Sequence, residues 1–213
     1  MLSVERLCRR FGRREVVRSL DLTVAEGERL ALCGPNGSGK STILRCVAGT
    51  LTPTGGRIRI GGHDAGTVAA RRLLGVSFSQ ERSFYLRLSG HDNLLFYARV
   101  RGATRREAER SVGALREELE LAPILATRAD RCSTGMIQQL AFARALLGEP
   151  PLLLLDEPTR SLDREAFGRF WTALDRRPAT TVLIATQLEA DVAHCGRRVE
   201  LQPAGEARPA SPA

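Results

Sequence analysis

Apolar and polar residues alternate through the first part of the chain, and the period then changes. The runs Leu2 to Leu7, Val16 to Val24 and Arg29 to Cys33 predict short strands, separated by turn signals at Phe11-Gly12 and Glu26-Gly27. Gly34 to Gly39 interrupts the alternation. From Lys40 to Ala48 the spacing of Ile43, Leu44, Val47 and Ala48 is helical, and Gly49 ends it. A further strand is predicted at Ile58 and Ile60 between paired glycines, and another near Gly75 to Ser79. From Gly90 to about Gln139 the pattern turns to longer amphipathic helices, among them Asp92 to Val100 and Arg105 to Leu121. Two apolar strands follow, Leu152 to Leu155 and Thr181 to Ala185, with a helix predicted over Arg164 to Leu174 between them. Strands apolar on both faces are what a parallel sheet covered by helices requires. The tail PAGEARPASPA after Gln202 is predicted to be disordered, and no internal repeat is present.

Composition narrows this picture. With 213 residues, 43% of them hydrophobic, the chain has enough apolar surface for one substantial core, which predicts one domain. The longest apolar runs fall far short of the roughly 18 residues needed to span a bilayer. Met1 to Phe11 has arginines but no apolar signal core, so a cytoplasmic location is expected. Five cysteines with no CxxC pair fit reduced thiols better than disulfides or a zinc site, and three scattered histidines add no ligand set. The net charge of +8 is spread among interleaved acids, which fits a solvated arginine-rich surface, and no nucleic-acid partner is expected. Of the 32 basic residues Lys40 alone is lysine.

That lysine stands in Gly34-Pro35-Asn36-Gly37-Ser38-Gly39-Lys40-Ser41-Thr42, a GxxxxGK[ST] motif between an apolar strand and a helix. Glycines without Cβ let successive N–H groups turn inward as an anion nest at the helix N-terminus. Lys40 is placed to reach the β and γ phosphates, and the Ser41 hydroxyl to ligate Mg2+. An arginine fork does not replace a compact ammonium in so tight a loop. The second half of the site is Asp156-Glu157 after Leu152 to Leu155, at the strand end where parallel sheets bind ligands. Asp156 suits magnesium, and Glu157 suits orienting and polarising an attacking water.

The order of these elements resembles the nucleotide-binding domain of ABC transporters, from about Leu2 to Leu201. The fold implied is α/β: a P-loop NTPase of ABC type with a mainly parallel sheet core, an N-terminal antiparallel β subdomain and a helical subdomain at about 82–140. It would form a single domain over 1–202, with 203–213 a disordered tail. By the resemblance Phe11 stacks on adenine, with a core phenylalanine as the alternative, and Gln80 senses magnesium and the attacking water. Cys132-Ser133-Thr134-Gly135-Met136-Ile137-Gln138 resembles the signature motif in the form STGM that ABC-2 exporters often carry. Ser133 would cap a helix facing a γ-phosphate, Gly135 would let that phosphate approach, and Asp163 lies in the D-loop at the dimer interface. The resemblance implies ATP and Mg2+ bound between two such subunits, as a homodimer or heterodimer. It also implies a separate transmembrane permease, docking near Ser83 to Leu88, on the cytoplasmic face of the membrane.

One departure is marked. Relatives carry a switch histidine after the strand that follows the acidic pair, and Thr186-Gln187 stands there instead. Gln187 is assigned a weaker catalytic role, with a solvent-facing glutamine as the alternative. The function expected is the ATP-hydrolysing motor of an ABC-2 type exporter. The alternatives are a hydrolysis-impaired subunit paired with an active one, and a non-transport cytosolic ABC ATPase.

Overall fold

The computed structural model describes residues 1–78 and 83–202, together with the backbone of Ala207–Arg208. The chain opens with a hairpin of β1 (Leu2–Phe11) and β2 (Arg14–Val24), in which Leu2 faces Val24, Val4 faces Leu22 and Phe11 faces Arg14. Strand β1 runs past its predicted end at Leu7. A register shift between Val4 and Leu7, where Arg6 takes a left-handed φ of 46°, inserts a residue, and the Arg6 N–H donates to Asp21 Oδ1 at 2.7 Å. The bulge resets the alternation, so Leu7 is buried although it lies an odd step from Val4.

Next come β3 (Arg29–Cys33), α1 (Lys40–Val47), β4 (Gly55–Ile60), β5 (His63–Asp64), α2 (Val68–Arg72) and β6 (Leu74–Ser77). Helices α3 (Gly90–Val100), α4 (Arg105–Glu118), α5 (Ala122–Ala126) and α6 (Thr134–Leu146) follow without an intervening strand. The last part alternates again: β7 (Leu152–Asp156), α7 (Arg164–Asp175), β8 (Thr181–Ala185), α8 (Glu189–Val192), β9 (Arg197–Leu201) and β10 (Ala207–Arg208). Two compact units result. One contains Met1–Leu74, Pro151–Glu157 and the chain from Ala179; the other contains Gly75–Pro150 and Pro158–Pro178, a wider span than the insert expected at about 82–140.

The first unit holds two sheets. The antiparallel one has the order β2-β1-β4-β5; the other runs β10-β9-β3-β8-β7 within this unit, with β9, β3, β8 and β7 parallel. Every residue of β7 and β8 is buried, and α1 packs Ile43, Leu44 and Val47 onto them. Each such leucine or valine contributes about 1.5–3 kcal/mol relative to exposure. Strand β9 was not legible beforehand, because RRVEL offers only two apolar residues, both buried, among exposed or half-buried polar ones. Of the tail, only the backbone of β10 is described, paired antiparallel with β9; the expectation of disorder for the remainder lies outside the described residues.

The second unit is built from capped helices. Ser89, Thr104, Ser133 and Asp163 each accept a backbone N–H at the start of α3, α4, α6 and α7, and Thr104 with Glu107 completes a capping box. Asn93 is fully buried and ties the turn before α3 down, accepting from the Tyr85 N–H at 2.8 Å and donating to the carbonyls of Tyr85 and Ser89. Phe142 of α6 meets Phe170 of α7 at 4.2 Å between ring centroids, and Trp171 lies edge-on to Phe170. Glu118 at the end of α4 accepts two hydrogen bonds of 2.6 Å from the guanidinium of Arg177, which also donates to the carbonyl of Ala173 at the end of α7. That pairing holds the Glu118 carboxyl below the usual range against the opposing effect of burial.

A depressed folded-state pKa makes the pair's contribution present above the ordinary carboxylate range and lost as pH falls through the depressed one. Glu118→Gln is therefore expected to lower unfolding stability by about 1–3 kcal/mol at pH 7, since it removes a forked, charge-assisted bond that is partly shielded from water. Urea unfolding at pH 7 and at pH 3.5 checks this: the gap between wild type and variant should narrow in acid.

Candidate functional site

The loop between β3 and α1 is fixed by backbone crowding on both sides. A Cβ on Gly34, whose φ is 137°, would stand 2.4 Å from the carbonyl oxygen of Leu201 in β9. One on Gly39, with φ 97° at the N-cap of α1, would stand 3.0 Å from the carbonyl oxygen of Val16 in β2. Only glycine satisfies both the left-handed φ and the approach. No side chain caps α1 and its first turn carries no acid, so its N-terminal amides and positive dipole end stay available to an anion. Lys40 is buried, and its ammonium donates to the carbonyls of Gly34 at 2.6 Å and Pro35 at 3.2 Å, folding back along the loop. Ser38 is 1% exposed, and its hydroxyl has no hydrogen-bond partner among the described residues.

Strand β7 delivers the acidic pair. The Ser41 hydroxyl in the first turn of α1 donates to Asp156 Oδ1 at 3.0 Å. Burial pushes the Asp156 carboxyl upward, opposed by that hydrogen bond and by Arg45 and Lys40. The raised folded-state value means that ionisation of Asp156 works against the fold as pH rises through it. Two adjoining oxygens on a buried floor beside an anion nest form a donor set suited to a hard divalent cation. Glu157 turns the chain off the sheet with φ 47°, while its N–H still donates to the carbonyl of Ala185 at 2.8 Å. Held this way, the half-buried Glu157 sits at the end of β7 in a backbone conformation non-glycine residues seldom adopt.

The end of β8 folds back on the same loop. Gln187 Nε2 donates to Asn36 Oδ1 at 2.8 Å and, more weakly, to the Gly34 carbonyl at 3.4 Å. Although exposed, Gln187 thus bonds the phosphate loop. The preceding Thr186 is fully buried; its hydroxyl donates to Asp191 Oδ2 at 2.7 Å and accepts from the Leu188 N–H at 3.0 Å, fixing the turn that aims Gln187. Asn36, Thr186 and Asp191 were not read as a group from sequence; the Thr186–Asp191 spacing of five residues across a strand end was the available signal. A cleft of about 350 Å³ opens here, lined by Gly34, Pro35, Asn36, Gln187 and Glu189 among others. Burial, with Glu200 adding to it, pushes the Cys33 thiol up to about 11, so this cysteine beside the loop stays protonated.

The other sequence candidates fall out as follows. Phe11 is 47% exposed at the end of β1, with the Arg9 guanidinium 4.4 Å from its ring centroid, so the alternative of a core phenylalanine does not hold. Thr42 lies in the first turn of α1. In the second unit, Ser133 caps α6 by accepting the Met136 N–H at 3.2 Å. Gly135 has a reason unlike the one expected: a Cβ there would stand 2.5 Å from the Ser161 carbonyl oxygen, and Gln138 accepts the Ser161 N–H at 3.0 Å. Close packing onto the segment before α7 thus already demands the glycine. Asp163 accepts the Ala166 N–H at 2.8 Å as the cap of α7. Gln80 lies outside the described residues; the chain on either side of it is held by Arg144, which donates to the Val76 carbonyl and the Ser83 hydroxyl.

Comparison with known proteins matches residues 17–160 to the family described as ABC transporter. An ABC transporter ATP-binding protein of Bacillus subtilis, YxlF, is 38% identical over 170 residues, covering 80% of this chain and 56% of the relative. The Fe(3+) ions import ATP-binding protein FbpC of Streptomyces coelicolor is 38% identical over 204 residues, covering 93% and 58%. The Nod factor export ATP-binding protein I of Rhizobium johnstonii is 38% identical over 182 residues, covering 84% and 58%. The chain spans about half the length of these curated relatives. A solved ATP-binding subunit of an ABC transporter superposes with a TM-score of 0.90 at 27% identity, covering all of this chain and 90% of the other. A dimeric bacterial ABC transporter cassette gives 0.86 at 24% identity, covering 98% of each, and bears on the fold alone. These likenesses include β3, the phosphate loop, α1 and β7, the elements that build the site above, and on that match the chain belongs to the ABC transporter family.

Proposed function

We propose that the chain is an ATP-binding and hydrolysing motor subunit that closes as a dimer around ATP and Mg2+ to drive a separate membrane permease. The observation that carries the proposal is the Ser41–Asp156 pair, set beneath a glycine loop whose lysine is buried and whose helix end is uncapped. Ser41 and Asp156, with Gln80, are the groups assigned to hold Mg2+, which when bound supplies positive charge to the phosphates. Lys40 exchanges its carbonyl partners for the β and γ phosphates, and the amides of residues 36–42 cradle them. Phe11 offers its exposed ring to adenine. Glu157 accepts a hydrogen bond from the attacking water and aligns it. Gln187, already on the loop through Asn36, donates a neutral amide hydrogen bond to the γ-phosphate. Ser133, Gly135 and Asp163 complete the site of the opposite subunit, either a second copy or a related chain.

Exposed apolar side chains support the permease assignment. Tyr85, Leu86, Leu88, Phe96 and Val100 all lie at the surface of the second unit, with Tyr85 and Phe96 rings 4.8 Å apart, a cluster suited to an apolar docking partner. The described residues contain no helix long and apolar enough to cross a membrane, and a place on the cytoplasmic face beside a permease is part of the proposal. Relatives include importers and exporters; the STGM form at Ser133 to Met136 is what favours an ABC-2 type exporter. Gln187 in place of histidine favours one second reading, a slow subunit paired with a faster partner.

Four variants test the assignment. Lys40→Ala should bind MgATP at least about tenfold more weakly and show no turnover, with unchanged circular dichroism, since an ammonium–phosphate contact is charge-assisted; titration calorimetry reads it. Glu157→Gln should retain ATP and elute as a dimer in size-exclusion chromatography with MgATP while cleaving none, because the amide keeps the shape without the basicity. Gln187→His should raise steady-state hydrolysis about tenfold with little change in ATP affinity, and Gln187→Ala should lower it, since charge-assisted bonds are roughly twice as strong as neutral ones. Undetectable wild-type hydrolysis that Gln187→His restores would support the paired, slow subunit.

A further inference from the structure

We propose that Arg14 is a further nucleotide-binding residue, a guanidinium on β2 that donates to the polyphosphate of the nucleotide; the inference rests on the phosphate loop being a nucleotide site. Strand β2 runs in step with that loop. The Val16 carbonyl oxygen is 3.0 Å from the place of a Cβ on Gly39, and two residues earlier Arg14 Nη2 is 3.9 Å from the place of a Cβ on Gly37. Residues two apart on a strand share a face, so Arg14 and Val16 cover the loop in sequence.

The hairpin register sets the other coordinate. Arg14 pairs with Phe11 at the end of β1 and β2, a position that brings cross-strand Cβ atoms to about 4.5–5.5 Å. Arg14 thus has Phe11, whose ring is exposed, as its cross-strand neighbour, and its guanidinium lies at the tip of the glycine loop, where Gly37 has a φ of 81° and no side chain in the way. A nucleotide with its base on Phe11 and its terminal phosphates on residues 36–42 runs its phosphate chain through that interval.

Charge pairing sharpens the case. On the same hairpin Arg10 and Arg18 both bond Glu15, at 3.4 and 2.8 Å, while Arg14 makes no hydrogen bond or ion pair among the described residues. Arg6, Arg9 and Arg13 of the hairpin likewise have no carboxylate partner among the described residues; Arg14 is the one whose guanidinium stands against the glycine loop. Its planar fork of donors matches phosphate oxygens in pairs, and it reaches the chain from β2 while Lys40 acts from within α1.

The test is calorimetric titration of wild type, Arg14→Ala, Arg14→Lys and Lys40→Ala with MgATP and MgADP at 50 and 300 mM salt. Arg14→Ala should weaken MgATP about five- to tenfold at low salt, flatten the salt dependence of binding, and leave the nucleotide-free melting midpoint unchanged; Arg14→Lys should recover part of the affinity. Wild-type affinity and salt dependence in Arg14→Ala, with Lys40→Ala weakened, would overturn the role of Arg14 and leave the site standing. A wild-type chain that binds no MgATP, or binds it no better than Lys40→Ala, would overturn both. Weaker binding in Arg14→Ala accompanied by a lowered melting midpoint and no recovery in Arg14→Lys would assign Arg14 to the hairpin's shape and overturn the proposal.

Discussion

Carbonyl oxygens of Leu201 and Val16 stand against the loop from Gly34 to Lys40, at distances that exclude a Cβ at its first position and crowd one at its sixth. The loop's path is therefore set by backbone meeting backbone, with no side chain to adjust. Its consequences spread outward. Because Gly39 is held at the N-cap of α1, Lys40 and Ser41 start that helix in fixed orientations. Because α1 packs on β7, the Ser41 hydroxyl finds Asp156 at 3.0 Å on a floor that is otherwise leucine. The strands giving those carbonyls belong to different sheets, so the loop depends on both being correctly formed.

The second unit uses the same device for a different end. Gly135 lets α6 approach the Ser161 carbonyl, and Gln138 from the same helix accepts the neighbouring N–H, so the start of α6 and the approach to α7 are one structure. Asp163, capping α7 two residues later, belongs to it as well. Ser133, Gly135 and Asp163 each have a local structural task whatever else they touch.

Much of this was legible from the sequence because it is local. The glycine loop, the apolar runs of β7 and β8 and the Ser133 cap of α6 announce themselves within a few residues. The failures were of a different kind. The end of β1 was misplaced because a bulge at Arg6 breaks the alternation by which strands are recognised. β9 escaped because its two apolar residues sit among polar ones. The bond from Gln187 to Asn36 joins residues 151 positions apart, and nothing short of the folded β3–β8 pairing brings them together. The sequence marked Gln187 as unusual; only the fold attached it to the loop.

That amide-to-amide bond has a bearing on the environment in which the chain works. An imidazole at the same place would change charge between about pH 5 and 8, and with it the grip on its neighbours. The Gln187–Asn36 contact has no ionisable proton, and, being neutral, it is little affected by ionic strength. No proton is gained or lost at this contact itself, whatever titrates around it. At the floor of the site the Asp156 carboxyl, whose buried charge is disfavoured, takes up its proton at a higher pH than an ordinary carboxylate does.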